Sequence, residues 1–232
     1  MKIGLLADIH GNGDALAAVL HEARARGIEQ LLCCGDFVGY YYEPERCLDL
    51  LAEWHVTSVR GNHDDMLDEL WHNPGRAEDF RKSFGSGLAI AAAVLTPAQR
   101  LTLESLPAQR TIAAAGKAIL LCHGAPWDAS EYVYPEADAS MFARCGGLGV
   151  DYVVMGHTHC QMTKRAGATV VVNPGSVGQP RRGTPGAEWA LLDLETGTVE
   201  HATVRYDVGP VVSRARAADP HFPFLWEVLE RT

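Results

Sequence analysis

The chain has 232 residues, 47% of them hydrophobic, and a formal net charge of −9. That is enough chain for one large domain with its own core. The acidic balance excludes a dedicated nucleic-acid or anionic-membrane binder, which needs a basic surface, but not a small phosphorylated substrate, because bound cations supply local positive charge. The six cysteines (Cys33, Cys34, Cys47, Cys122, Cys145, Cys160) form no CxxC pair, a pattern of reduced thiols. No apolar run approaches the roughly 20 residues that span a bilayer, and the stretch before Asp8 is too short for a signal segment. A cytoplasmic protein without a membrane segment is expected.

In chain order, residues 3–7 form a continuous apolar run that reads as a buried strand. After the turn at His10-Gly11-Asn12-Gly13, Asp14 is placed to cap a helix with the apolar stripe Leu16, Val19, Leu20 and Ala23, ending at Gly27. Strands follow at 31–34 and 56–59, with a helix over 44–54 between them. This β-α-β-α-β run predicts a parallel sheet with right-handed crossovers. Residues 65–107 read as helical, and Thr96-Pro97-Ala98-Gln99 combines an N-cap, a proline at the first helical position and a capping-box Gln. Strands return at 111–114 and 118–122 around Ala115-Gly116, at 152–155, at 169–172 after Ala166-Gly167, and as a hairpin of 189–194 with 200–206 across Thr196-Gly197. No repeat or linker interrupts the chain, so one domain over residues 1–232 with two sheets is expected.

Five short clusters close strand-like runs: Asp8-Ile9-His10, Gly35-Asp36, Gly61-Asn62-His63-Asp64, His123-Gly124 and Gly156-His157-Thr158-His159. Strand ends of an α/β protein converge at one sheet edge, so these residues are expected to meet. Singly, each cluster is an ordinary turn or a satisfied histidine. Asp8 and Asp36 with one Asn and four or five His are too many ligands for one cation. Without thiolates the set suits Mn²⁺, Fe or Zn²⁺ in a reactive centre better than a structural zinc. His157 and His159, separated by Thr158, offer two imidazoles that are expected to serve two ions rather than one. A two-metal centre favours in-line hydrolysis at phosphorus by an activated water.

The ordered set D-x-H, G-D, G-N-H-D, H-G, G-H-T-H spans roughly residues 3–182. It resembles the calcineurin-like metallophosphoesterase superfamily, and in particular its small bacterial phosphodiesterase-type members. Those share Asp-Ile-His-Gly-Asn near the start and a late Asn-Pro-Gly-Ser, here Asn173-Pro174-Gly175-Ser176. The resemblance implies an α/β fold, a four-layer α-β-β-α sandwich of two mixed sheets, with metals at the strand ends between the sheets. It places Asp8, His10 and His159 on a first cation, Asp36 as a bridge, and Asn62, His123 and His157 on a second. His63 stands beside them as the proton donor. The implied cofactor is a pair of divalent ions, Mn²⁺ first, with Fe or Zn²⁺ as the alternatives.

The protein-phosphatase branch of that superfamily carries Asp and Arg where this chain has Gly39 and Tyr40. The missing Arg removes a fork for a doubly charged monoester. A small phosphodiester or nucleotide is therefore expected ahead of a dinucleoside polyphosphate or phosphomonoester. The missing Asp leaves the orientation of His63 open. Asn12 and Arg181 are candidates for contacting the substrate phosphate. Tyr40, Tyr41 and Tyr42 are candidates for stacking on a ring, and Trp127, Tyr132 and Tyr134 for rimming the pocket. Asp64, Asp65, Asp68 and Glu69 read as a solvated helix face, and Cys160 as core. The reading from another class is a non-catalytic partner-binding scaffold, against which the intact ligand set argues. The expected partner is a small phosphorylated molecule, not a nucleic acid or a membrane.

Overall fold

Strand β1 (Lys2–Leu6) runs on into Ala7 and alternates its side chains between two faces, both buried. Ile3, Leu5 and Ala7 pack with Leu32, Cys34, Ile119, Leu121, Val154 and Val172 into a cluster between two sheets. Leu6 joins Leu16, Val19, Leu31 and Trp189 in a second cluster beneath helices. One strand thus defines three of the layers. The structure is a computed structural model and describes residues 1–231.

In the first sheet β1 lies parallel to β2 (Gln30–Cys33), and β2 parallel to β3 (His55–Ser58). On the other side β9 (Ala187–Asp193) runs antiparallel to β1 and to β10 (Thr198–Val204), giving the order β10-β9-β1-β2-β3. The second sheet comprises β4 (Gln109–Ala114), β5 (Lys117–Cys122), β6 (Tyr152–Val154), β7 (Met162–Ala166) and β8 (Thr169–Asn173) in the order β4-β5-β6-β8-β7. Its three central strands are parallel and its two edges antiparallel.

Helices α1 (Gly13–Ala25), α2 (Pro44–Ala52), α3 (Asn62–His72), α4 (Ala77–Phe84), α5 (Gly87–Val94) and α6 (Pro97–Glu104) contribute to the cluster outside the first sheet. The outer face of the second sheet is covered by α7 (Ala139–Gly146), through Cys145, Met141 and Phe142. This is the four-layer sandwich of mixed sheets. Helices α8 (Gly209–Ala218) and α9 (Phe224–Glu227) pack on Tyr40 and Tyr41 in a smaller cluster. Among the described residues no helix is long and apolar enough to cross a membrane.

The capping box of α6 forms as expected, with Thr96 and Gln99 exchanging bonds. The cap of α1 is corrected: Asn12, not Asp14, accepts from the Ala15 N–H. Strand β7 and helices α7 to α9 were not anticipated. Met-Thr-Lys-Arg-Ala exposes its three middle residues, so it lacks an alternating apolar face and forms by pairing with β8.

Candidate metal centre

All five clusters meet at one end of the sandwich, because parallel strands β1, β2, β3, β5 and β6 deliver their C-terminal ends to the same edge. The backbone there is strained. Of the six non-glycine residues with positive φ among those described, five are Asp8 (56°), His10 (53°), Asp36 (56°), His157 (68°) and His159 (55°). A left-handed residue other than glycine costs on the order of 1–2 kcal/mol, and such strain concentrates where side chains must aim at a common point.

Four imidazoles are oriented by backbone carbonyls. His10 Nδ1 faces Val38 O at 3.0 Å, His123 Nδ1 faces Cys34 O at 2.7 Å, and His159 Nδ1 faces Gln179 O at 2.7 Å. His157 Nε2 faces Ser130 O at 3.2 Å. A carbonyl only accepts, so each outward nitrogen carries the hydrogen and each inward one presents a lone pair. The inward atoms form two groups. His10 Nε2 lies 3.0 Å from His159 Nε2, which lies 3.8 Å from Asp8 Oδ1. His123 Nε2 lies 3.0 Å from His157 Nδ1 and 2.8 Å from Asn62 Oδ1. Asp36 stands between the groups, its Oδ2 3.6 Å from His10 and 3.4 Å from His123, while its Oδ1 accepts from the His63 N–H at 2.8 Å.

Lone pairs facing one another at such distances repel unless positive charge lies among them. Ligands about 2.1 Å from one cation and at right angles to each other lie about 3.0 Å apart, so the donor set fits divalent cations. The charges tell the same story. Burial alone would raise Asp36, but His123, His63 and His10 hold its carboxyl well below the ordinary range. Burial works against charge on His123, yet Asp36 and Asp8 push it up to about 10, so its inward nitrogen holds a proton in the place a cation would take. Burial holds His10 and His159 well below the ordinary histidine value, and burial with His123 lowers His157 to about 4. Burial raises Asp8 to about 7, against the pull of His123.

His63 lies beside both groups, with His10 and Asp36 in reach of its ring. Among the described residues no carboxylate orients it, and its Nδ1 is buried without a partner. Aromatic packing holds the ring instead, with Phe84 at 4.7 Å, His10 at 4.8 Å and Tyr40 at 4.9 Å between centroids. Gly39 is the reason no acid stands there. A Cβ on it would lie 2.6 Å from His10 Nδ1 and 2.7 Å from His63 Nδ1.

Two expectations are corrected. Asn12 is buried, and its side chain is fully engaged: it donates to Gly178 O and Tyr206 Oη, both at 2.9 Å, and caps α1. It has nothing left for a phosphate. Asp64 is not on a solvated face. It is buried and accepts from the backbone N–H groups of Asp36, Phe37, Val38 and Gly61, tying the loop after β2 to the start of α3. Arg181 does reach the centre. It donates to Tyr40 Oη at 3.1 Å, and its charge bears on Asp8, His10, His63 and His159. Tyr40, standing where an Arg was missed, thus receives a guanidinium from the loop after β8. Of the other two tyrosines, Tyr41 bonds Leu225 O and Tyr42 bonds Asp219, both away from the ligands. Cys160 is buried in place, its thiol donating to Thr158 O.

Two bracing groups went unread in the sequence. Ser176 Oγ donates to Asp8 O at 2.7 Å, and Asn173 Nδ2 donates to Gly156 O at 2.7 Å, so the Asn-Pro-Gly-Ser segment holds two ligand loops. The motif itself was the available signal.

Known proteins share this fold. The calcineurin-like phosphoesterase superfamily domain matches residues 1–197. Phosphodiesterase YfcE of Escherichia coli is 27% identical over 210 residues, covering 86% of this chain and 91% of that protein. A metallophosphoesterase from Sphaerobacter thermophilus superposes with a TM-score of 0.80 at 25% identity, covering 98% of each chain. A hypothetical protein from Pyrococcus horikoshii reaches a TM-score of 0.87 at 22% identity, covering 98% of this chain and 97% of that one. Motif order, sandwich and matched domain agree, and the chain belongs to the calcineurin-like phosphoesterase superfamily.

Proposed function

We propose that the chain, acting as one domain, is a dinuclear metal-dependent phosphodiesterase that hydrolyses a P–O bond of a small diester or nucleotide. The observation that carries this reading is the set of inward lone pairs on His10, His159, His123 and His157, each fixed by a carbonyl behind it. Asp8, His10 and His159 would hold one cation and Asn62, His123 and His157 the other, with Asp36 shared. Mn²⁺ is the ion that best suits this mixture of carboxylate, imidazole and amide. When bound, such a pair activates water and neutralises charge on the phosphoryl oxygens.

The chain's own residues do the rest. Arg181 binds a phosphoryl oxygen and sets the orientation of the ester. The new bond forms between water oxygen and phosphorus, the bond to the leaving oxygen breaks, and the His63 ring delivers a proton to that oxygen. Burial lowers His63 below its ordinary value; an anionic phosphate beside the ring would raise it again and favour the protonated form, and the proton released by the attacking water replaces the one the ring gives up. YfcE's name as a phosphodiesterase supports the ester class.

A diester is favoured because one guanidinium at the rim replaces a buried fork. Arg181 also gives the monoester or dinucleoside polyphosphate its footing as the second reading. Protein reconstituted with Mn²⁺ is expected to hydrolyse bis-p-nitrophenyl phosphate with kcat/KM at least about tenfold above that for p-nitrophenyl phosphate, about 1.4 kcal/mol. A ratio favouring the monoester moves the function to the second reading.

A further inference from the structure

The loop between β5 and α7 carries an alternation that the chemistry above does not use. Val133 is buried in the cluster under α7, whereas Tyr132 is 46% exposed and Tyr134 half-buried. Residues two apart share a side, so the anchored valine delivers both tyrosines together. Tyr132 lies on the His157 ring, with centroids 3.8 Å apart and planes at 22°. Tyr134 lies parallel to Tyr132, at 8° and 5.7 Å. For rings in contact at about 3.5 Å, that spacing means a sideways offset of about 4.5 Å, which leaves part of the Tyr132 face uncovered. Beyond them Arg182 sits over Tyr134 at 5.7 Å and is held by Glu136. The stack therefore begins at a candidate metal ligand and climbs outward to solvent. Packing on His157 still leaves Tyr132 46% exposed.

His63 stands against Tyr40 and Phe84, so the leaving oxygen faces that wall. The group retained on phosphorus faces the other. We propose that Tyr132 and Tyr134 form a stacking subsite for an aromatic retained group, a nucleobase or an aryl ring, which makes the substrate a nucleoside or aryl diester rather than an alkyl one. This rests on the phosphodiesterase reading above and adds the substrate class. Base-on-aromatic stacking tolerates any base, because each has a π face.

Two esters with the same leaving group isolate the subsite: thymidine 5′-(p-nitrophenyl) phosphate and methyl p-nitrophenyl phosphate, assayed with Mn²⁺-loaded protein. The nucleoside ester is expected to have the higher kcat/KM by about five- to a hundredfold. That ratio should fall toward one in Tyr132→Leu and in Tyr134→Leu, and persist in Tyr134→Phe. Calorimetric titration of the loaded protein with thymidine 5′-monophosphate and with methyl phosphate should give the same ordering without turnover. Manganese content of each variant separates a lost stacking face from a displaced His157, and Tyr134→Leu decides if Tyr132→Leu loses metal. A ratio near one in the wild type, or one untouched by Tyr134→Leu, overturns the subsite and leaves the hydrolase standing. Tyrosine-dependent binding of the nucleotide with neither ester hydrolysed keeps the subsite and removes the hydrolase.

Discussion

Gly39 and His63 are the residues on which the proton-transfer argument turns. Gly39 has φ of 141°, and any Cβ there would strike the rings of His10 and His63. Gly39→Ala is therefore expected to shift both imidazoles, and a misplacement near 1 Å costs about a hundredfold in turnover. Loss of kcat together with lowered manganese content is the predicted pair of readouts; a variant with wild-type kcat contradicts the packing account of His63. His63→Ala removes the donor without removing a proposed ligand. It should keep its manganese and lose roughly 10²–10⁴-fold in kcat. Unchanged turnover would mean that the leaving oxygen takes its proton elsewhere. Of the rings around His63, His10 and Tyr40 were singled out in the sequence and Phe84 was not. Phe84 arrives from the end of α4, whose contacts depend on how α3 to α5 fold back.

At the scale of elements, β9 carries an unusual passenger. Glu188 is 3% exposed, and among the described residues its carboxyl has one hydrogen-bonding neighbour, the Ser176 N–H at 3.4 Å. Burial pushes its carboxyl up from 4.5 to about 8. In the folded chain it keeps its proton up to that pH, while the unfolded chain releases it above about 4.5. Between those values the folded state binds more protons, so this group's contribution makes stability fall as pH rises. Glu188→Gln should match the wild type in urea unfolding at pH 4.5 and exceed it at pH 8, by on the order of 1–3 kcal/mol. Equal differences at the two pH values would contradict a buried, proton-holding carboxyl. The strands themselves were legible because apolar runs ending in Asp, Asn or His recur at regular intervals. Local charge misled at Asp64, whose four N–H partners lie at positions 36 to 38 and at 61. Distance hid Asn12, whose amide partners lie 166 and 194 residues away.

Over the whole molecule, the two sheets divide the centre between them. The first contributes Asp8, His10, Asp36, Asn62 and His63 from the ends of β1, β2 and β3. The second contributes His123 after β5, and His157 and His159 after β6. Neither sheet alone holds a complete set, so the sandwich of β1 against β5 and β6 is what assembles it. That convergence was readable from motif order, since strand ends meet at one edge. The rim was legible only as candidates, Tyr132 and Tyr134 for lining the pocket and Arg181 for the phosphate, because these residues sit on connections whose paths no periodicity encodes. The central claim is that these eight side chains enclose room for two cations sharing Asp36. Elemental analysis of manganese-saturated protein, paired with anomalous diffraction at the manganese edge, tests it most directly. Two manganese ions per chain, one beside His10 and His159 and one beside His123 and His157, is the predicted result; a single occupied position would contradict it.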